Sequence, residues 1–196
     1  NPVLMAENWP CFRGPTRQGI SQEENVPVHW DVKKNIAWKI SIPGQGYSSP
    51  IVYDKRVYIT TAVDEGASLH LLCIDTGTGK VYWDKEVTRQ KTGQKERRNS
   101  YATPTPVTDG ERIYVLATDG TLLGLSMDGN ELWRHKELEY YSQHGLAVSP
   151  ILQDGLLIVP FDGSSDGRIT DLSKLSLSVD RYDSPLLSLR CEVWEI

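Results

Sequence analysis

No apolar stretch in this chain approaches the roughly 20 residues that a membrane-spanning helix requires, so nothing in it reads as a transmembrane segment. Cysteine is scarce, with three among 196 residues. Cys11, Cys73 and Cys191 lie far apart and outside any C-x-x-C or Cys/His cluster, which excludes the usual spacing of a zinc site. They do not decide the redox compartment. Cys73, inside the apolar run Leu71-Leu72-Cys73-Ile74, reads as a buried thiol packing as a small hydrophobe. Basic excess is missing too. The formal charge is −5, so a nucleic acid, itself a polyanion, is not favoured as a partner. No low-complexity tract interrupts the sequence. No Ser/His/Asp triad can be read from the scattered His29, His70, His135 and His144, and no catalytic residue or metal ligand is assigned.

What the chain does contain is core-forming material. Hydrophobic residues make up 39%, with 6 Trp and 9 Tyr, too many for an intrinsically disordered chain. The 16 Gly and 11 Pro punctuate short apolar runs. At the start, Val3 to Ala6 reads either as the end of an export signal, with Ala6 at a small-residue cleavage position, or as a disordered or truncated beginning.

Three segments repeat one another: Ser49-Pro50-Ile51-Val52-Tyr53 through Thr61, Thr105-Pro106-Val107 through Ala117, and Ser149-Pro150-Ile151 through Val159. Each has a hydroxyl residue, a proline, an aliphatic stretch, a polar turn and a second apolar run. Proline suits the first position of a strand, where no ladder N–H is missed. The runs Val57-Tyr58-Ile59-Thr60 and Ile113-Tyr114-Val115-Leu116 are β-branched, aromatic and too short for ordinary helices. Behind the first two hairpins come further strand pairs, Leu69–Asp75 with Lys80–Trp83, and Thr121–Met127 with Asn130–Trp133, joined by Gly-containing turns. Asn35-Ile36-Ala37-Trp38-Lys39 carries the same Trp signature. Tryptophans at 38, 83 and 133 recur at a period of roughly 45–50 residues, the signature of propeller blades. A β-sandwich also has many short strands but predicts no such period.

The expected fold is therefore all-β: a β-propeller of four-stranded antiparallel blades, about three of them present as a partial ring. Residues 1–34 lead into it, 35–168 form the blades, and 169–196 are either degraded third and fourth strands or an unrelated tail. The basic stretch from Arg89 to Arg98 reads as a solvated insertion between blades; it lacks the interleaved aromatics of a base-stacking surface.

The stretch Leu71 to Trp83, with its weaker copy at 122–133, resembles the PQQ-like (pyrrolo-quinoline quinone-like) β-propeller repeat family, which includes quinoprotein dehydrogenases and outer-membrane assembly lipoprotein propellers. The opening Trp9-Pro10-Cys11-Phe12-Arg13-Gly14-Pro15 is similar to the start of secreted bacterial members. The resemblance covers about residues 8 to 168 and is specific for fold more than for function. It implies a ring of seven or eight blades, so the chain is expected to be a fragment or to complete itself by association through open blade edges. It also implies, for a dehydrogenase, PQQ, a calcium ion and an adjacent-cysteine disulfide. No neighbouring cysteines are present. Asp162-Gly163-Ser164-Ser165-Asp166-Gly167 lacks the carboxylate pattern of an EF-hand and reads more simply as a turn.

Loops leading into the first strand of each blade should converge at one mouth. They bring Tyr47 and Ser48, Asn99 and Tyr101, and His144; Asp162 joins them as a ligand-binding candidate. The alternative is that Tyr47 and Tyr101 pack the blade tops. The expected function is a non-enzymatic binding or scaffolding module, periplasmic or extracellular, taking a protein, peptide or glycan without a cofactor. The alternative is a fragment of a PQQ-dependent alcohol or sugar dehydrogenase.

Overall fold

The computed structural model describes residues 7–24, 26–136, 144–154 and 156–160, and beyond them the strand positions 164–165, 168–169, 174–178 and 189–191. Each proline of the repeated Ser/Thr-Pro pair stands immediately before a strand: Pro50 before β1 (Ile51–Tyr53), Pro106 before β5 (Val107–Thr108) and Pro150 before β9 (Ile151–Gln153). From each such strand the chain folds into an antiparallel meander. The first sheet continues as β2 (Arg56–Val63), β3 (Ser68–Asp75) and β4 (Val81–Arg89), and the second as β6 (Arg112–Leu116), β7 (Leu122–Ser126) and β8 (Glu131–His135). In the third, β9 pairs with β10 (Leu156–Pro160). A short hairpin, β11 (Ser164–Ser165) with β12 (Arg168–Ile169), follows. Then β13 (Lys174–Ser178) returns to β10 and β14 (Leu189–Cys191) closes the third sheet. The chain is thus a β-propeller arc of three four-stranded antiparallel sheets.

The turns follow from local chemistry. Asp54 and Lys55, with φ of 45° and 61°, make the two-residue turn that matches strand twist when both central residues are left-handed. Between β3 and β4, the Asp75 carboxylate accepts the Thr78 N–H at 2.7 Å, the Thr78 hydroxyl at 2.6 Å and the Tyr82 hydroxyl at 2.7 Å. These bonds, led by that from the Thr78 hydroxyl, hold its pKa down to about 2.

Alternation along the central sheet explains why its strands read as nearly continuous apolar runs. Ile113, Val115 and Ala117 with Leu123 and Leu125 face the first sheet, joining Ile51, Tyr58, Leu71 and Cys73 in one core. Tyr114, Leu116 and Leu122 face the other way, with Leu146, Leu157 and Val159. Each side chain so buried contributes about 1.5–3 kcal/mol before ordering entropy is counted. Cys73 is fully buried, and burial pushes its thiol pKa up, as expected for a small hydrophobe in the core.

Two devices repeat between neighbouring sheets. An indole packs over a turn glycine of the sheet that follows it in the chain: Trp83, on the outer strand β4, on Gly129, and Trp38, which lies outside the strands, on Gly79. Both glycines have positive φ, 71° and 74°, and a Cβ there would lie 2.7 Å and 2.8 Å from the ring. Trp38 also donates its indole N–H to the Thr76 carbonyl at 2.8 Å. At the inner edge, the Ser49 N–H donates to the Thr105 hydroxyl and the Thr105 N–H to the Ser149 hydroxyl, each at 3.0 Å. The hydroxyls before Pro106 and Pro150 are therefore acceptors for the preceding blade.

Two outcomes follow. Gly129→Ala, strained by its left-handed backbone and clashing with Trp83, is expected to lower unfolding free energy by about 2–4 kcal/mol. Gly77→Ala, whose added carbon meets only Asp75 Oδ1 at 3.5 Å, should change it by less than about 1 kcal/mol; urea titration compares the two. Because its pKa is depressed, Asp75 stabilises the turn fully above the unfolded carboxylate value near pH 4. That contribution disappears as pH falls through about 2, and an NMR titration of its carboxyl carbon should show a midpoint well below that of a free aspartate.

Candidate functional site

The loops before β1, β5 and β9 do meet at one end of the arc. Ala102 ties the first two together: its carbonyl accepts the N–H groups of Tyr47 and Ser48, both at 3.0 Å. The second and third are joined where the Asn99 side-chain amide donates to the His144 carbonyl at 2.8 Å. Tyr47, Ser48, Asn99, Tyr101 and His144 thus belong to one mouth, while Asp162 lies outside the described residues.

Their side chains do different work. Ser48 is buried, its hydroxyl placed between the Thr60 carbonyl and N–H at 3.4 Å each. Asn99 Oδ1 accepts the Ser100 N–H at 2.8 Å and the Thr103 hydroxyl at 2.5 Å, so its amide is spent on shaping the loop. Tyr101 lies flat against Gly66, whose φ of 98° leaves room where any Cβ would collide with the ring. Its hydroxyl donates to the Gly93 carbonyl at 2.7 Å, and the Lys95 ammonium sits 5.1 Å from the ring centroid. Tyr47 is 62% exposed and His144 is exposed at the rim.

The basic stretch 89–98 is more than a solvated insertion. Pinned by Tyr101, it folds back over the mouth, where the Glu96 N–H reaches the His144 carbonyl at 3.2 Å and Lys95 packs on Gly145. Gln90 anchors its base. From a buried position, its amide nitrogen donates to the carbonyls of Gly66 and Tyr101, both at 2.8 Å. Its oxygen accepts the Thr118 N–H at 2.8 Å and hydroxyl at 3.0 Å. Sequence reading missed Gln90, since a glutamine at the end of a strand carries no signal until its partners on three other segments are known.

Away from these loops, between the outer strands β4 and β8, lies an open groove of about 380 Å³ lined in part by Glu86, Thr88, Glu131 and Arg134. Its principal cation is already engaged. Arg134 donates to Glu131, to the Thr88 hydroxyl at 3.0 Å and to the Val87 carbonyl at 3.2 Å. It braces two blades together.

Among the described residues no group of three or more His, Cys, Asp and Glu side chains is placed to hold a metal ion. Cys11 and Cys73 sit in different cores, and the donors nearest the mouth are occupied by one another.

Residues 66–176, more than half of the chain, match the family described as outer membrane protein assembly factor BamB. No curated protein matches the sequence. Among solved structures, BamB from Moraxella catarrhalis aligns over 72% of this chain and 40% of its own, with 13% identity and a TM-score of 0.53. A europium-containing methanol dehydrogenase aligns over 72% of this chain and 24% of its own, with 16% identity and a TM-score of 0.50. At such identities the likeness is one of fold, and the chain spans well under half the length of either protein.

Gln90→Ala should leave the Thr118 N–H and two carbonyls without partners, costing roughly 2–3 kcal/mol locally. Release of the insertion follows. Trypsin should then cut after Lys91, Lys95, Arg97 or Arg98 at least about tenfold faster than in the parent, while the sheets stay resistant.

Proposed function

Because the chain belongs to the PQQ-like repeat β-propeller family, we infer that it is an arc of a binding ring, a non-enzymatic recognition or scaffolding module that takes a protein, peptide or glycan at the mouth formed by its three lead-in loops. The observation that carries this reading is how the mouth's polar groups are spent. Asn99, Ser100 and Thr103 bond to one another and to backbone, which fixes the loops and leaves an aromatic face, Tyr47, standing in solvent. A rigid rim with one exposed aromatic suits recognition, where preorganised loops reduce the ordering cost of binding. A reaction centre instead needs titratable groups aimed at one point. The family's description, an outer-membrane assembly factor, supports a protein partner and a periplasmic or extracellular location.

The experiment is a ligand selection. Peptide libraries and glycan arrays are probed with the parent and with Tyr47→Ala and His144→Ala. Bound ligands should lose at least about tenfold affinity, some 1.4 kcal/mol, in the Tyr47 variant. Ligands indifferent to both substitutions would move the site away from the mouth. For the dehydrogenase alternative, PQQ and calcium are added and dye reduction by alcohols is followed; this reading expects no cofactor absorbance band and no turnover, and robust turnover ends it.

A further inference from the structure

At the opposite end of the first strands from the mouth, residues 8–17 run across all three blades. The Asn8 side-chain oxygen accepts the Asp54 N–H at 3.0 Å. Trp9 forms a two-way antiparallel bridge with Val52, N–H to carbonyl at 2.7 Å and 2.9 Å. The Pro10 carbonyl accepts the Thr108 N–H at 2.9 Å. Further along, the Arg17 guanidinium donates to the Leu152 carbonyl and to Gln153 Oε1. Val52, Thr108 and Leu152 each lie three residues beyond the hydroxyl of their Ser/Thr-Pro pair. The strap therefore contacts the same position in successive repeats, on the free edge that β1, β5 and β9 turn inward.

The strap also holds its own shape. The Gly14 N–H donates to the Cys11 carbonyl at 2.9 Å, that of Arg17 to Gly14 at 3.0 Å and that of Gly19 to Arg13 at 2.9 Å. Gly14, with φ of 74°, lies under the Trp9 ring, where a Cβ would come within 2.6 Å. From Cys11 to Gly19 only Cys11 and Gly14 are buried; Phe12 is 46% exposed. Few buried contacts and a self-contained turn are the properties of a segment that opens without the rest of the fold.

We propose that the inward edges of β1, β5 and β9 form a peptide-binding track, filled in this chain by its own residues 8–17, and that its ligand is an extended peptide bearing an aromatic-Pro pair, a glycine turn and an arginine. Unpaired strand edges bind extended chain through backbone hydrogen bonds. Proline at the second position brings no N–H needing a partner there, the glycine admits the aromatic ring, and the arginine reaches the third blade. Such a peptide, from another protein's exposed segment, competes with the strap, and the track is separate from the mouth.

The test uses the full chain carrying Cys191→Ser, which leaves Cys11 and Cys73 as its thiols, and a fluorescein-labelled peptide of residues 7–19. With Trp9→Ala and Arg17→Ala in the chain, the peptide is expected to bind at least about tenfold tighter than to the parent, whose tethered strap acts at a high effective concentration. A scrambled peptide should bind neither. In the parent, Cys11 should react with Ellman's reagent well ahead of Cys73, and the Val52 and Thr108 amides should exchange hydrogen faster than those of β2 and β6 yet slower than free amides. Equal binding to parent and variant, equal reaction of the two thiols, or exchange of Val52 and Thr108 only with the whole protein would each overturn the proposal. The thiol and exchange measurements are made on the parent, so they decide the matter even where the double variant does not fold.

Discussion

The central sheet is apolar on both faces, and most of the architecture answers that single fact. A β-strand sends alternate side chains to opposite sides, so Ile113 and Val115 enter one core while Tyr114 and Leu116 enter another. One blade can cover only one of those faces. Stacking neighbours on both sides is the remaining solution, and it recurs at every blade until a ring closes. The pairs Tyr58 with Trp83 and Tyr114 with Trp133, each with ring centroids 6.0 Å apart, show the same inner and outer packing at successive steps.

Stacking by itself leaves the blades free to slide, and polar contacts of modest strength set their angle. The backbone-to-hydroxyl bonds from Ser49 to Thr105 and from Thr105 to Ser149 work near the axis, and the indole-on-glycine contact works near the rim. Arg134 adds a third brace at the outer strands. With the angle so set, loops more than 40 residues apart in sequence meet closely enough for Asn99 to bond the backbone at His144. The mouth is a consequence of blade packing, and its chemistry depends on which side chains that packing consumes.

Gln90 and Tyr101 illustrate the consumption. Both carry groups capable of binding a ligand, and both are used to fold residues 89–98 over the mouth. Strand and blade order were legible in the sequence because they depend on local period, turn residues and a proline that tolerates only a strand's start. The convergence of Tyr47, Asn99 and His144 was legible too, since equivalent positions in a repeat must share a face. What the side chains do there was not. A tyrosine lying against a glycine in another turn has the same letters as one facing water.

The N-terminal segment marks the boundary most clearly. Trp9-Pro10-Cys11-Phe12-Arg13-Gly14 has no strand period and reads only as a lead-in, yet Trp9 completes an antiparallel bridge and Cys11 lies in the core with Leu157. Burial raises the pKa of the Cys11 thiol, again an effect of surroundings supplied by distant residues. The all-β class and the repeat follow from the sequence, because alternation and turn chemistry act between near neighbours. Tertiary structure alone decided which hydroxyls, amides and rings face solvent and what lies across the inner strand edges, because those outcomes depend on contacts between residues a blade or more apart.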